Sequence, residues 1–523
     1  MAEMDAPLAR NVLEALAGAS ELLTGLRRGI EKESLRVAQD GKLSGLPHPQ
    51  GLGSPLTHPN ITTDFSEAQL ELITDVHESP EGCIGQLERV HRFVYQNIGD
   101  ELLWASSMPC ILGDDSEIPV GRYGSSNIAK AKTVYRLGLG HRYGRLMQTI
   151  SGIHYNFSVP ESFWPVLAGA VGARPTQDFR TQAYFGLIRN FRRYSWLLIY
   201  LFGASPAICR SFVKDRPHGL QPFDEGTLHL PYATSLRMGR LGYQSDAQST
   251  LHISYNSLDQ YARSMRYALT QPYPAYEKIG VKVDGEYRQL STTLIQIENE
   301  FYGTIRPKQP VEPGERPLAA LQRRGVAYVE VRCLDLNPFL HVGIDEPQMR
   351  FLDTFLLYCL LADSPADSER ESRVMGENQL AVVERGREPG LILHRLRGSV
   401  PREAWAHEIL RGCRPLAELL DAAHGGEDYL QSWEEQMRKV DRPELTPSAR
   451  ILEIMASQHL PFFRFTMNQS LAHKGYFDEH PLRNRQLAEY RRLAEASLTE
   501  QRRIEAADTL SFDDFVHSYL AMD

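Results

Sequence analysis

Gly29-Ile-Glu-Lys-Glu-Ser-Leu-Arg36 places Glu31 and Glu33 on one side of an extended chain, because side chains along a strand alternate faces with a period of two. Other stretches repeat the pattern. In Gln69-Leu-Glu-Leu-Ile-Thr74, Glu71 lies opposite Leu70 and Leu72. In Ile150-Ser-Gly-Ile-His-Tyr-Asn-Phe-Ser-Val159, the residues His154, Asn156 and Ser158 oppose Ile153, Tyr155, Phe157 and Val159. Leu294-Ile-Gln-Ile-Glu-Asn-Glu-Phe-Tyr302 reads as a strand with Gln296, Glu298, Glu300 and Tyr302 on one face. Ala327-Tyr-Val-Glu-Val-Arg332 sets Tyr328, Glu330 and Arg332 against Val329 and Val331.

Taken singly, each polar face suits the wet side of an antiparallel sheet. Together they differ from ordinary solvated faces, which mix signs and favour Lys and Thr. These faces concentrate carboxylates, with one His and one Arg. If the strands share a sheet, the carboxylates converge, and two unit charges 4 Å apart repel by about 4 kcal/mol at an effective dielectric of 20. Divalent cations would relieve that repulsion. A Glu-rich oxygen set suits Mg²⁺ or Mn²⁺ rather than Zn²⁺, and such ions keep positions open for phosphates. Arg332, on the face of Glu330, can hold a phosphate with two hydrogen bonds. The residues thus point to metal-dependent phosphoryl transfer on the polar face of a curved antiparallel sheet, provided the strands are neighbours.

The surrounding chain limits the alternatives. It has 523 residues, of which 42% are hydrophobic and 24% charged, as expected of a globular protein large enough to bury its own core. The net charge of −9 and the absence of a basic stripe argue against a nucleic-acid partner. The longest apolar run, Trp196 to Phe202, is too short for a membrane span. The first twenty residues carry Glu3, Asp5 and Glu14 and read as an amphipathic helix, not a signal peptide. The cysteines, at 83, 110, 209, 333, 359 and 413, form no C-x-x-C pair and are expected as free thiols in a cytoplasmic protein.

The expected architecture is α+β: a single catalytic unit over residues 1–523, with an α+β core over about 25–395 and a helical part over about 396–523 packed on it. Helices are expected at Met349 to Ala362, Arg402 to Ala423, Pro447 to Gln458 and Pro481 to Ala507. Arg306 to Pro317, with four prolines, and the charged Asp363 to Asn378 read as loops. Gly138-Leu-Gly-His-Arg-Tyr-Gly144 does not fit the dinucleotide fingerprint and reads as a turn between helices. There is no P-loop, H-E-x-x-H or G-x-S-x-G motif.

Several blocks resemble the bacterial type 1 glutamate–cysteine ligases (γ-glutamylcysteine synthetases). They are Arg28 to Arg36, Ile61-Thr-Thr-Asp-Phe-Ser-Glu67, Met147 to Ser158, Tyr200-Leu-Phe-Gly-Ala-Ser-Pro-Ala207, Tyr232-Ala-Thr-Ser-Leu-Arg237, Gln296-Ile-Glu-Asn-Glu300 and Glu330-Val-Arg-Cys-Leu-Asp-Leu-Asn-Pro338. The resemblance implies a funnel-like antiparallel sheet of about six strands, related to the catalytic sheet of glutamine synthetase and surrounded by helices. It implies ligation of L-glutamate to L-cysteine with ATP, through γ-glutamyl phosphate, as the first step of glutathione synthesis.

By the same resemblance Glu31, Glu33, Asp64, Glu71, His154 and Glu330 would hold Mg²⁺ or Mn²⁺. Asp64 is reached only through the resemblance, which in turn does not place Glu298 or Glu300 among the ligands. Arg332 would stabilise charge on the transferred phosphoryl group. Tyr135, Ile150, Arg237, Tyr243 and Tyr302 would form the cysteine pocket, and Arg136 would contact phosphate or glutamate. Leu137 and Cys333 depart from the family's usual residues without touching a proposed ligand, and Cys333 is expected as buried packing. The expected state is a monomer, inhibited by glutathione and without room for a fused second ligase domain. Competing readings are a γ-glutamyl ligase for another amine and a non-catalytic metal- or nucleotide-binding protein.

Overall fold

A computed structural model describes residues 8–109, 111–214, 216–242, 248, 251–312 and 314–521. Its centre is an antiparallel sheet. We number its strands β1 (Arg27–Val37), β2 (Ile61–Thr63), β3 (Gln69–Ile73), β4 (Leu102–Leu103), β5 (Ile153–Ser158), β6 (Ile305–Lys308) and β7 (Tyr328–Leu334). The order across the sheet is β6-β7-β5-β1-β3-β2, and β4 pairs with the far end of β1. A register shift between Val331 and Leu334 interrupts the β7–β5 ladder, the kind of irregularity that bends a sheet.

Four of the five stretches singled out by alternation are strands of this sheet, and their registers put the charged faces on the same side. Glu31 pairs with His154, Glu33 with Glu71, and Glu330 with Asn156. The other side carries Ile30, Leu72, Ile153, Tyr155, Phe157, Val329 and Val331, all buried in the main core. The helices Pro80–Tyr95, Gln177–Phe202 and Glu346–Leu361 contribute to the same core. Burial of this apolar face, at about 25 cal/mol per Å², drives the assembly. One ion pair crosses it: Arg28 Nη2 lies 2.9 Å from Asp353 Oδ2, both side chains fully buried, and Tyr155 Oη donates to Asp353 Oδ1 at 2.7 Å.

The fifth stretch is a correction. Glu298–Glu300 form a 3₁₀ turn instead of a strand. Its two outer carboxylates meet arginines and stay out of the acidic face: Glu298 pairs with Arg316 at 2.8 Å and Glu300 with Arg142 at 2.7 Å. Alternation alone does not distinguish a strand from a turn whose charges are locally neutralised.

Three other expectations give way. Arg306 to Lys308 lie in β6, where Pro307 is tolerated because β6 is an edge strand and its missing N–H costs no interior ladder bond. Glu369–Arg385 is helical; Ser368 caps it by accepting from Glu371 N–H at 3.2 Å, the Ser-x-x-Glu start of a helix inside a charged stretch. Asn127–Tyr143 is one continuous helix through Gly138, and Gly144, at φ +83°, ends it.

Among the cysteines, Cys83, Cys333, Cys359 and Cys413 are free and buried, whereas Cys209 is disulfide-bonded, contrary to the expectation of free thiols throughout; Cys110 lies outside the described residues. The C-terminal helices include Arg402–His424, Pro447–Ser457, Phe462–Glu479 and Asn484–Ala507. Buried residues of the first three, such as Leu410, Ile451 and Phe465, join the central apolar clusters. Among the described residues no helix is long and apolar enough to cross a membrane.

Candidate active site

The polar face of the sheet gathers its charges around one imidazole. His154 Nδ1 lies 3.3 Å from Glu31 Oε2 and 3.5 Å from Glu330 Oε1, and Nε2 lies 3.7 Å from Glu33 Oε1. Glu31, His154 and Glu330 each offer a ligand atom within 4.8 Å of the others. Glu71 stands opposite Glu33 in the β1–β3 register. Asn156 Nδ2 donates to Glu31 Oε1 at 2.9 Å, and Gly152 N–H donates to Glu33 Oε2 at 2.7 Å.

Burial makes this cluster electrostatically demanding. Desolvation and the nearby Asp64 push Glu33 up to about 8. Glu71 is also pushed well up, by burial and then by Glu31, Asp64 and Glu33. Burial and Arg332 lower His154, which favours a neutral imidazole. Glu330 goes the other way: burial opposes its ionisation, but Lys308, Arg332 and His154 hold it well below the usual carboxylate range. Among the described residues, His154 Nε2 and Glu330 Oε2 are buried without a hydrogen-bond partner. Carboxylates pushed up by burial and by one another, beside a buried imidazole nitrogen, are the donor set that an oxygen-preferring divalent ion with one nitrogen ligand satisfies.

The remaining candidates fall into two groups. Arg237, Tyr302 and Arg332 line one cavity of about 720 Å³. Arg332 Nη1 lies 3.0 Å from Glu330 Oε1, and Arg237 Nη2 donates to the Arg332 carbonyl at 3.1 Å. Arg237 passes directly over Gly152, where a Cβ would stand 1.9 Å from Nη2, so a larger residue at 152 would displace the guanidinium. Tyr302 Oη accepts from Gln148 Nε2 at 3.0 Å.

The second group supports the face without lining that cavity. Arg136 Nε donates to the Asp64 carbonyl, its guanidinium rests 4.6 Å from the Tyr123 ring centre, and Tyr123 Oη donates to the same carbonyl at 2.9 Å. Tyr135, on the helix Asn127–Tyr143 with Arg136, packs against apolar clusters, and Ile150 is buried in the core. Tyr243 lies outside the described residues.

Two neighbours were missed from sequence. Lys308 Nζ lies 3.4 Å from Glu330 Oε2, and Arg306 pairs with Glu330 in the β6–β7 register. Alternation in Ile305-Arg-Pro-Lys308 was the available signal, obscured by the prolines that follow. A second cavity, of about 570 Å³, is lined by Arg27, Gly29, Val76, Asn156, Ser158 and Tyr328 among others, and reaches the cluster through Asn156, which donates to Glu31.

A family model described as glutamate-cysteine ligase matches residues 13–382. A glutamate–cysteine ligase of Alcanivorax borkumensis is 52% identical over 509 residues, 96% of this chain and 97% of the relative. One from Pseudomonas aeruginosa is 51% identical over 511 residues, 97% of each chain. The crystal structure of a Francisella tularensis glutamate–cysteine ligase in complex with AMP superposes with a TM-score of 0.89 at 37% identity, covering 95% of this chain and 97% of that one.

Proposed function

The chain belongs to the glutamate–cysteine ligase family, and on that premise we propose how its own residues carry the reaction. The enzyme joins the γ-carboxylate of L-glutamate to the amine of L-cysteine with ATP, giving γ-glutamylcysteine, ADP and phosphate in glutathione synthesis. The observation behind the residue assignments is that the carboxylate–imidazole cluster touches residues of two cavities: Asn156 of one donates to Glu31, and Arg332 of the other pairs with Glu330.

The nucleoside of ATP enters the cavity bounded by Gly29, Asn156 and Tyr328, and the amino acids enter the one bounded by Arg237, Tyr302 and Arg332. The phosphates then extend over Glu31, His154 and Glu330. Glu31, Glu33, Asp64, Glu71, His154 and Glu330 would hold Mg²⁺, or Mn²⁺ in its place. The ions would neutralise phosphate charge during transfer.

A glutamate γ-carboxylate oxygen attacks the γ-phosphorus of ATP, and ADP leaves. Arg332 neutralises charge building on the transferred group, a contribution of positioning and electrostatics. The acyl phosphate is then open to attack by the cysteine amine, with phosphate as leaving group and loss of the amine proton. Arg237 meets a substrate carboxylate and Tyr302 walls the cysteine pocket, with Tyr135 and Ile150 set back from it. Holding the amine against the acyl phosphate supplies much of the rate. Arg136 acts through Asp64, whose carbonyl it grips.

The test is ADP release from ATP and glutamate with cysteine, 2-aminobutyrate or other amines added in turn. Cysteine should stimulate best; a stronger response to another amine would reassign the acceptor, and no response to any would refute the assignment. Ala327→Phe, which narrows the nucleoside cavity, should raise the KM for ATP and leave that for glutamate unchanged. We also propose a cytoplasmic monomer inhibited by glutathione, to be checked by size-exclusion chromatography and inhibition kinetics.

A further inference from the structure

The helix Asn127–Tyr143 and the turn Glu298–Glu300 reach the amino-acid cavity through Gln248, which lines it and whose Nε2 donates to Tyr143 Oη at 3.1 Å and to the Glu300 carbonyl at 2.9 Å, and both elements are held by the last described stretch of chain. Glu505 Oε1 accepts from Ser125 N–H at 2.7 Å, Asp508 Oδ2 accepts from Asn127 N–H, and the Leu510 carbonyl accepts from Asn127 Nδ2 at 3.0 Å. Two carboxylates thus meet the helix end where N–H groups lack partners and the dipole is positive.

The helix Phe512–Leu520 follows. It lays Val516 into an apolar cluster with Ala131, Val134 and Leu290, against which Tyr135 packs. At its end the Leu520 carbonyl accepts from Arg316 Nη1 at 3.2 Å, while Arg316 Nη2 holds Glu298 at 2.8 Å. Gln296 joins the two gripped elements: Oε1 accepts from Leu290 N–H at 2.9 Å, and Nε2 donates to the Tyr135 carbonyl at 3.2 Å. The fit is close, since a Cβ on Gly138 would stand 2.2 Å from Gln296 Oε1.

We propose that residues 505–520 are a positioning clamp for the amine-acceptor side of the site, setting Tyr135 and Tyr302 without touching substrate. The inference rests on the assignment of those two residues to that side. Residues 505–520 line neither cavity and do not reach the nucleoside side. Val516 is the one deeply buried side chain of the last helix among the described residues. Undocking therefore removes little core, and its effect falls on the elements the clamp touches.

Full-length Val516→Asp, Asp508→Ala and Asp508→Asn are compared with wild type by varying ATP, glutamate and cysteine in turn. We expect the cysteine KM to rise about tenfold in Val516→Asp and by about half that factor in Asp508→Ala, with Asp508→Asn nearer wild type. The KM for ATP should stay within about twofold and the melting midpoint within about 3 °C. An unchanged cysteine KM in Asp508→Ala, or cysteine and ATP KM values rising together, overturns the clamp, and Asp508→Ala decides alone if Val516→Asp fails to fold. Tyr302→Ala, measured alongside, separates the two levels: if it leaves the cysteine KM untouched, the site assignment itself is wrong and the clamp falls with it.

Discussion

Glu33 and Glu71 face each other directly across β1 and β3, a cross-strand pairing of like charges that is destabilising by itself. The fold accepts this arrangement on the polar face of its central sheet. Cation removal should therefore be felt in stability as well as in turnover. Adding Mg²⁺ to chelator-treated protein should raise the melting midpoint, with a gain of about 2.7 kcal/mol at a hundredfold excess over Kd. Glu71→Gln should raise the metal-free midpoint, shrink the Mg²⁺-induced rise and lower turnover by orders of magnitude. A Glu71→Gln protein with the full Mg²⁺ response removes Glu71 from the ligand set.

Arg332 is the cation of the amino-acid cavity closest in sequence to a proposed ligand, and it touches Glu330 at 3.0 Å. Arg332→Ala should cut kcat by about a hundredfold or more while leaving the melting midpoint nearly unchanged. Arg332→Lys should restore little, because an ammonium cannot form the planar two-point contact. Near-normal kcat in Arg332→Ala would take the residue off the site.

The Arg28–Asp353 pair is fully buried and ties β1 to the helix beneath the sheet. Asp353→Ala strands the guanidinium and should cost about 3–5 kcal/mol by urea unfolding. The double change Arg28→Met with Asp353→Leu should recover most of that loss. A double variant as unstable as the single one would mean that packing, not the unpaired charge, sets the cost.

His58 predicts an acid-labile step that does not involve the cluster's own carboxylates. Its Nδ1 accepts from the backbone N–H groups of Asn60 and Ile61, both at 3.0 Å, and burial lowers it to about 4. The folded form thus binds its proton later than the unfolded chain, whose ordinary value is near 6.5. Stability from this group is complete above about pH 6.5 and declines as pH falls toward 4, by up to about 3 kcal/mol. Urea unfolding at pH 7.5 and 4.5 should show a smaller pH-dependent loss in His58→Gln than in wild type. Equal losses would assign the acid sensitivity to other groups.

Much of the sheet could be read from the chain because period-two alternation survives wherever one face is apolar and the other charged, as in β1, β3, β5 and β7. The same rule misread Leu294 to Tyr302, where arginines from distant segments compensate each glutamate and the backbone turns. It also passed over Lys308, whose strand is followed by prolines that are harmless at an edge. Asp64 sits just past β2, outside any alternating run, so pattern alone could not find it. The capping of the Asn127 helix by Asp508 joins residues 381 apart and leaves no local trace.

β1 works from both sides. Its odd positions Glu31 and Glu33 supply the cluster, while its even positions Arg28 and Lys32 are buried behind it, Lys32 Nζ 2.7 Å from His91 Nε2. For protein engineering this strand is a poor place to seek heat tolerance: any adjustment behind it displaces the acids in front. The outlying helix Asn484–Ala507, mostly exposed, offers more room for redesign.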